Sequence, residues 1–172
     1  MATVLVPMGV SGCGKSTLGK ALAARLGWKY LEGDDFHSLA NVAKMRAGTP
    51  LDDADRWPWL AAIAERMDMK IAAQESAVVA CSALKRDYRD FLRNGRPEVL
   101  FIYLRVTRGE LERRVAARHH AWMPASLLAS QLATLEEPRA DEPRGLTLNA
   151  DGDAAATLEA VLKILHDTNI GN

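Results

Sequence analysis

Five short, largely apolar runs recur along this chain: Thr3-Val4-Leu5-Val6-Pro7-Met8, Trp28-Lys29-Tyr30-Leu31, Ala77-Val78-Val79-Ala80-Cys81, Glu98-Val99-Leu100-Phe101-Ile102-Tyr103-Leu104 and Gly145-Leu146-Thr147-Leu148-Asn149. Their β-branched and aliphatic content predicts buried parallel strands. Between them the apolar period lengthens. Leu18, Leu22 and Leu26 form a helical stripe that stops at Gly27. A helical stretch from Phe36 is stopped by Gly48 and Pro50. Another runs to Lys70, with Asp53 or Asp55 as its cap and Pro58 in its first turn. Helices are further expected over Gly109 to Arg118, Ser126 to Leu135 and Ala154 to His166, the last with Leu158, Val161, Leu162 and Leu165 on its inner side. Strand and helix alternate throughout. That pattern predicts an α/β chain with a wound parallel sheet flanked by helices on both faces.

Composition narrows the picture only a little. A chain of 172 residues suits one domain with a real core. Its 22 basic and 22 acidic side chains cancel, so it carries no electrostatic footprint for nucleic acid or an anionic membrane. Cys13 and Cys81 make no disulfide framework, no basic-then-apolar leader opens the chain, and no apolar run approaches bilayer length. The expectation is a cytoplasmic protein without membrane or nucleic-acid partners.

The chemistry concentrates after the first strand. Gly9-Val10-Ser11-Gly12-Cys13-Gly14-Lys15-Ser16, followed by Thr17, has two glycines bracketing four residues and then Lys-Ser, between a strand and a helix. Such a P-loop turns its amides toward phosphate oxygens, and the helix behind it adds a favourable dipole. Gly9, Ser11, Gly12, Cys13, Gly14 and Thr17 are therefore expected to cradle a nucleoside triphosphate. Lys15 would reach the outer phosphates and Ser16 would ligate magnesium.

Further candidates sit where strands end, the side on which open parallel sheets bind ligands. Glu32 and Asp34 alternate at the end of the second strand and point the same way. Glu32 could hold magnesium through water, and Asp34 could accept the proton of an attacking hydroxyl. Asp35 reads as a helix cap. His37, three residues after Asp34, is either a packed histidine or a substrate contact. Arg56 suits a bidentate grip on a carboxylate, whereas Trp57 and Trp59 read as packing. Lys85 or Arg86 is expected to touch substrate. Arg114 and Arg118, four residues apart, form either a surface ion-pair face or a lid bringing arginines over the transferring phosphate.

Taken in order, these residues resemble the gluconate kinases, P-loop kinases of small metabolites. The resemblance covers nearly the whole chain. Beyond the loop it rests on Glu32-Gly33-Asp34 with His37, Lys44-Met45 with Gly48-Thr49-Pro50-Leu51, and Asp55-Arg56 with Pro58-Trp59-Leu60. It continues in Cys81-Ser82-Ala83-Leu84-Lys85-Arg86 with Tyr88-Arg89-Asp90, and in Ser130-Gln131 with Leu135-Glu136 and Pro138. The resemblance implies a phosphotransferase with an alcohol acceptor, using ATP and Mg2+ to phosphorylate D-gluconate at its terminal hydroxyl. It also implies a five-stranded P-loop kinase fold as a single domain over residues 1–172, with a substrate-binding helical segment at about 34–75 and a lid at about 114–126. A homodimer is implied as well. Lys44 and Gln131 join Asp34, His37, Arg56, Lys85 and Arg86 as substrate-binding positions on this basis. Lys15, Asp34 and Arg118 take catalytic roles, and Arg114 a nucleotide contact. The lid departs from the family pattern: His120-Ala121-Trp122 stands where glycine, histidine and phenylalanine are usual, so no lid-histidine role carries over. Ser38 likewise replaces a common proline.

Overall fold

All five apolar runs are strands in a computed structural model, which describes residues 2–117, 124 and 126–170. They are β1 (Val4–Met8), β2 (Lys29–Glu32), β3 (Ala77–Ala80), β4 (Val99–Arg105) and β5 (Gly145–Asn149). They pair in the order β2-β3-β1-β4-β5, every pair parallel. β1 lies at the centre, with Val4 opposite both Ala77 and Val99. The connecting helices are α1 (Lys15–Leu26), α2 (Leu39–Arg46), α3 (Asp53–Ala72), α4 (Arg86–Arg93), α5 (Arg108–Ala116), α6 (Leu127–Thr134) and α7 (Ala154–Asp167).

Strand alternation sorts the core onto two faces. Leu5, Val78, Leu100, Ile102 and Leu104 pack against Leu18 and Leu22 of α1, Leu111 of α5, Leu128 of α6 and Val161 and Leu165 of α7. Val4, Val6, Met8, Val79, Val99, Phe101 and Tyr103 face the other way. They meet Trp59, Leu60, Ile63 and Met67 of α3 and Tyr88 and Leu92 of α4. A small third cluster of Met45, Leu51 and Leu127 joins α2 to α6. Among the described residues, no helix is long and apolar enough to cross a membrane.

Local chemistry revises three boundaries. The stretch from Phe36 is not one helix. A 3-10 turn over Gly33–Phe36 ends at an extended His37, and α2 begins only after Ser38, whose side chain accepts the Asn41 amide at 3.1 Å. The cap of α3 is Asp52, rather than Asp53 or Asp55. Asp52 Oδ1 accepts the Asp55 amide at 2.9 Å and Asp55 Oδ2 accepts the Asp52 amide at 3.1 Å, a reciprocal capping box. With α3 starting at Asp53, Pro58 falls in its second turn, not its first. Arg118 and the lid positions His120-Ala121-Trp122 lie outside the described residues.

Candidate active site

The carboxyl ends of β1, β2 and β3 carry three loops that meet. The turn after β1 holds residues 9–14, the 3-10 turn follows β2, and residues 81–85 follow β3. Gly9 donates its amide to the Ser82 carbonyl at 3.2 Å. Gly33 passes so near β3 that a Cβ there would collide with the Ala80 carbonyl oxygen. Glycine is therefore needed to bring the β2 carboxylates up to the loop after β1.

That loop is built for an anion. Gly14 caps α1 at φ 101°, a left-handed conformation that turns the chain abruptly into the helix and leaves the first-turn amides without helical partners. Lys15 Nζ donates to the Val10 carbonyl at 3.1 Å, so its ammonium lies folded over its own loop. The Ser11 amide donates to Gln131 Oε1 at 2.6 Å, which ties α6 to the loop from the far end of the chain. Cys13 is fully buried, and a Cβ on Gly9 would strike its sulfur, so the thiol serves packing.

Opposite the loop lies a cavity of about 790 Å³ lined by Ser11, Gly12, Gly14, Lys15, Ser16 and Thr17 on one side and by Glu32, Asp34, His37, Arg56 and Gln131 on the other. Burial pushes the Asp34 carboxyl above the usual carboxylate range against the pull of the Lys15 ammonium, and Glu32 and Asp35 add to the rise. Glu32 accepts the Tyr30 hydroxyl at 2.6 Å. Burial and this contact drive the Tyr30 phenol upward, so it stays a donor. The His37 side chain is only 4% exposed and stacks on Trp59, centroids 4.4 Å apart and planes 13° from parallel. Burial, with the Arg56 guanidinium adding to it, lowers the imidazole to about 4. Trp59 also donates Nε1–H to the Gly33 carbonyl at 2.8 Å, so it supports both the turn and the histidine. Trp59 is thus core packing, as its sequence suggests, but packing directly beneath the site.

Arg56 is held from behind. It donates to the Tyr88 hydroxyl at 3.3 Å, and that hydroxyl donates in turn to Asp53, which pairs with Lys85 at 2.8 Å. Lys85 is therefore engaged one layer behind the cavity wall. Lys44 pairs with Asp55 at 2.7 Å and Arg86 with Asp141 at 2.8 Å. None of these three cations lines the cavity. Sequence reasoning did not single out Arg46 or Ser82, which do line it. Arg46 signalled itself only by its position at the end of a short helix, and Ser82 stood at a strand exit inside the Cys81–Arg86 motif without a role of its own.

A second cavity of about 610 Å³ lies on the other side of the phosphate loop, sharing Gly12, Gly14 and Thr17 with the first. Arg114 lines it, donating to the Ala150 carbonyl at 2.7 Å and to Glu110 at 2.6 Å. The arginine thus anchors α5 to the loop after β5. Two cavities meeting at one anion loop can hold a phosphorylated nucleotide and an acceptor end to end.

Comparison with known proteins agrees with this geometry. A family model described as an AAA domain matches residues 4–138. A gluconokinase of Gluconobacter oxydans (strain 621H) is 52% identical over 139 residues, spanning 81% of this chain and 78% of that one. The chain belongs to the gluconokinase family. Two solved structures are similar over nearly the whole length. An unliganded sugar kinase from Janibacter sp. HTCC2649 superposes with a TM-score of 0.91 at 44% identity, covering 96% of this chain and 95% of that one. A gluconokinase from Sinorhizobium meliloti 1021 superposes with a TM-score of 0.85 at 43% identity, covering 97% and 93%. Gluconokinase membership accounts for the ordered motifs as well as for the five-stranded P-loop kinase fold.

Proposed function

We propose that this protein transfers the γ-phosphoryl group of ATP to the terminal hydroxyl of D-gluconate, yielding 6-phospho-D-gluconate and ADP. The observation that carries the reading is the single cavity in which Lys15 and Ser16 face Asp34, His37 and Arg56. A sugar acid needs a cation for its carboxylate and hydrogen-bonding groups along its hydroxyls. Arg56, backed by Tyr88 and Asp53, suits the carboxylate. Asp34 lies at the phosphate-loop side of the same wall, where the reacting hydroxyl belongs.

As the hydroxyl oxygen forms its bond to Pγ and the bond from Pγ to the bridging oxygen of ADP breaks, Asp34 takes the hydroxyl proton. A carboxylate raised above its ordinary range is a better base near neutral pH. Lys15 neutralises charge on the outer phosphates. Arg114 borders the nucleotide side. Ser16 and Glu32 would hold Mg2+, a pair of oxygen donors that fits an ion which keeps its waters and takes phosphate oxygens as further ligands. Among the described residues no cluster of three or more His, Cys, Asp or Glu forms a metal cage, in keeping with that mode. The ion would supply charge neutralisation across the phosphates. Family resemblance extends the reading to a cytoplasmic homodimer, whose oligomeric state gel filtration with light scattering tests.

The acceptor panel tests the function. ADP release with Mg2+ and ATP is followed with D-gluconate, shikimate, a nucleoside monophosphate or no acceptor. Stimulation by gluconate alone is expected; stimulation by another acceptor in its place contradicts the assignment.

A further inference from the structure

The hydrogen bonds around His37 fix more than its position. Asn41 lies four residues after it in the first turn of α2, with its side chain buried against α3. Its Nδ2 lies 2.9 Å from the Asp55 carbonyl oxygen. A carbonyl only accepts, so the Asn41 amide is oriented with its NH2 toward α3. The same Nδ2 lies 3.3 Å from His37 Nδ1. Its second hydrogen therefore points at Nδ1, which must accept it. Neutral imidazole has one N–H, so the proton lies on Nε2. Stacking on Trp59 fixes the plane of the ring, the Asn41 contact selects the Nδ1 edge over the Cδ2 edge, and the Asn41 backbone amide bound to Ser38 Oγ anchors the turn that holds the asparagine. Nε2 is 3.9 Å from Asp34 Oδ1, beyond hydrogen-bond length, and the ring borders the cavity. Asp34 from the 3-10 turn and Arg56 from α3 are the charged groups facing the ring.

We propose that Asn41 is a positioning residue that locks His37 as the neutral tautomer protonated on Nε2, so that the ring presents a hydrogen-bond donor to an acceptor hydroxyl beside Asp34. The inference deepens the phosphoryl-transfer reading and rests on it for the identity of the acceptor, but the lock itself exists in the protein without ligand. His37 thus recognises an oxygen lone pair and is not a general acid. Its donor would hold an oxygen of the sugar acid while Asp34 accepts from the reacting one.

Two measurements test it on the full chain. Proton–nitrogen correlation of the His37 imidazole in the ligand-free protein at neutral pH should show the proton on Nε2 and an unprotonated Nδ1. A proton on Nδ1, or an imidazolium, overturns the proposal whatever the substrate proves to be. Asn41→Asp should move the proton to Nδ1, because a carboxylate accepts where the amide donated. Asn41→Ser, whose shorter hydroxyl would not reach Nδ1 and which adds no charge, should leave the two tautomers mixed and serves if the aspartate variant does not fold. In kinetics, Asn41→Ser should raise KM for gluconate about tenfold, the scale of one lost hydrogen bond, with KM for ATP unmoved. His37→Gln, whose amide NH2 replaces the Nε2 donor, should retain more gluconate affinity than His37→Ala. An unchanged tautomer in Asn41→Ser, or equal losses in both His37 variants, contradicts the lock. Failure of the acceptor panel with the tautomer as described would leave the lock standing and remove only its substrate.

Discussion

At the residue scale, two carboxylates and one histidine divide the work by environment. Glu32 accepts the Tyr30 hydroxyl and, on the proposed reading, would donate oxygen to Mg2+, whereas Asp34, raised by burial, would take the proton. Asp34→Asn should therefore lower kcat by about 10²-fold or more, while the Kd for ATP measured by calorimetry stays within about twofold. Equal damage to both would assign Asp34 to structure. His37 gives a stability test with a definite sign. Its ordinary value is 6.5 and its folded value is about 4, so the unfolded chain binds the proton more readily between those limits. Its contribution is complete above pH 6.5 and is lost as pH falls toward 4, by up to about 3 kcal/mol at about 1.4 kcal/mol per unit. Asp34 acts in the opposite direction, since its raised pKa favours the native state as pH falls. The comparison is therefore with His37→Gln, whose urea-unfolding stability should decline less than that of the unaltered protein over this window. Parallel declines would show that His37 charges freely in the folded state.

At the element scale, the loops at the strand ends are held by buried polar groups from distant parts of the chain. Ala83 takes a left-handed φ of 43° just after β3, a strained choice for a residue with a Cβ. Arg89 of α4 holds that turn, donating to the Ala83 and Leu84 carbonyls at 3.0 and 3.2 Å and bidentately to Glu142 at 2.7 Å. Both ions of the pair are essentially unexposed. Arg89→Ala should cost about 3–5 kcal/mol in urea unfolding, because it leaves the buried Glu142 charge with only the Arg139 amide at 3.3 Å and the Arg93 guanidinium at 3.9 Å. A loss below about 1 kcal/mol would mean that Glu142 finds another partner or water. Such ties also explain what the sequence could and could not convey. The strands and the phosphate loop were legible because each rests on a local pattern, apolar runs or glycine spacing. The break after Phe36 was not, because Ser38 competes locally for the Asn41 amide. Nor was the cap of α3, where three aspartates within four positions give the same signal and only the reciprocal bonds choose Asp52. Asn41 left a faint trace, a polar residue four positions from both His37 and Met45, but its orientation depends on a carbonyl of α3.

At the scale of the whole molecule, the sheet order brings the ends of three adjacent strands to one edge, and α3 buttresses that edge from below. α6 and α5 each touch the phosphate loop, through Gln131 on Ser11 and Arg114 on the Cys13 carbonyl. Of the cations expected at the substrate, Arg56 lines the cavity while Lys85 supports it through Asp53 and Tyr88, an order of layers that no spacing in the chain encodes. On the proposed reading the arrangement would give the acceptor a direction, with its carboxylate toward Arg56 and its far hydroxyl toward Asp34 and the phosphate loop. The product carries a record of that direction. After the protein has turned over ATP, Mg2+ and D-gluconate, phosphorus–carbon coupling in the NMR spectrum of the product should place the new phosphate on the carbon farthest from the carboxylate. Phosphate on a carbon beside the carboxylate, or released only as inorganic phosphate, would contradict it.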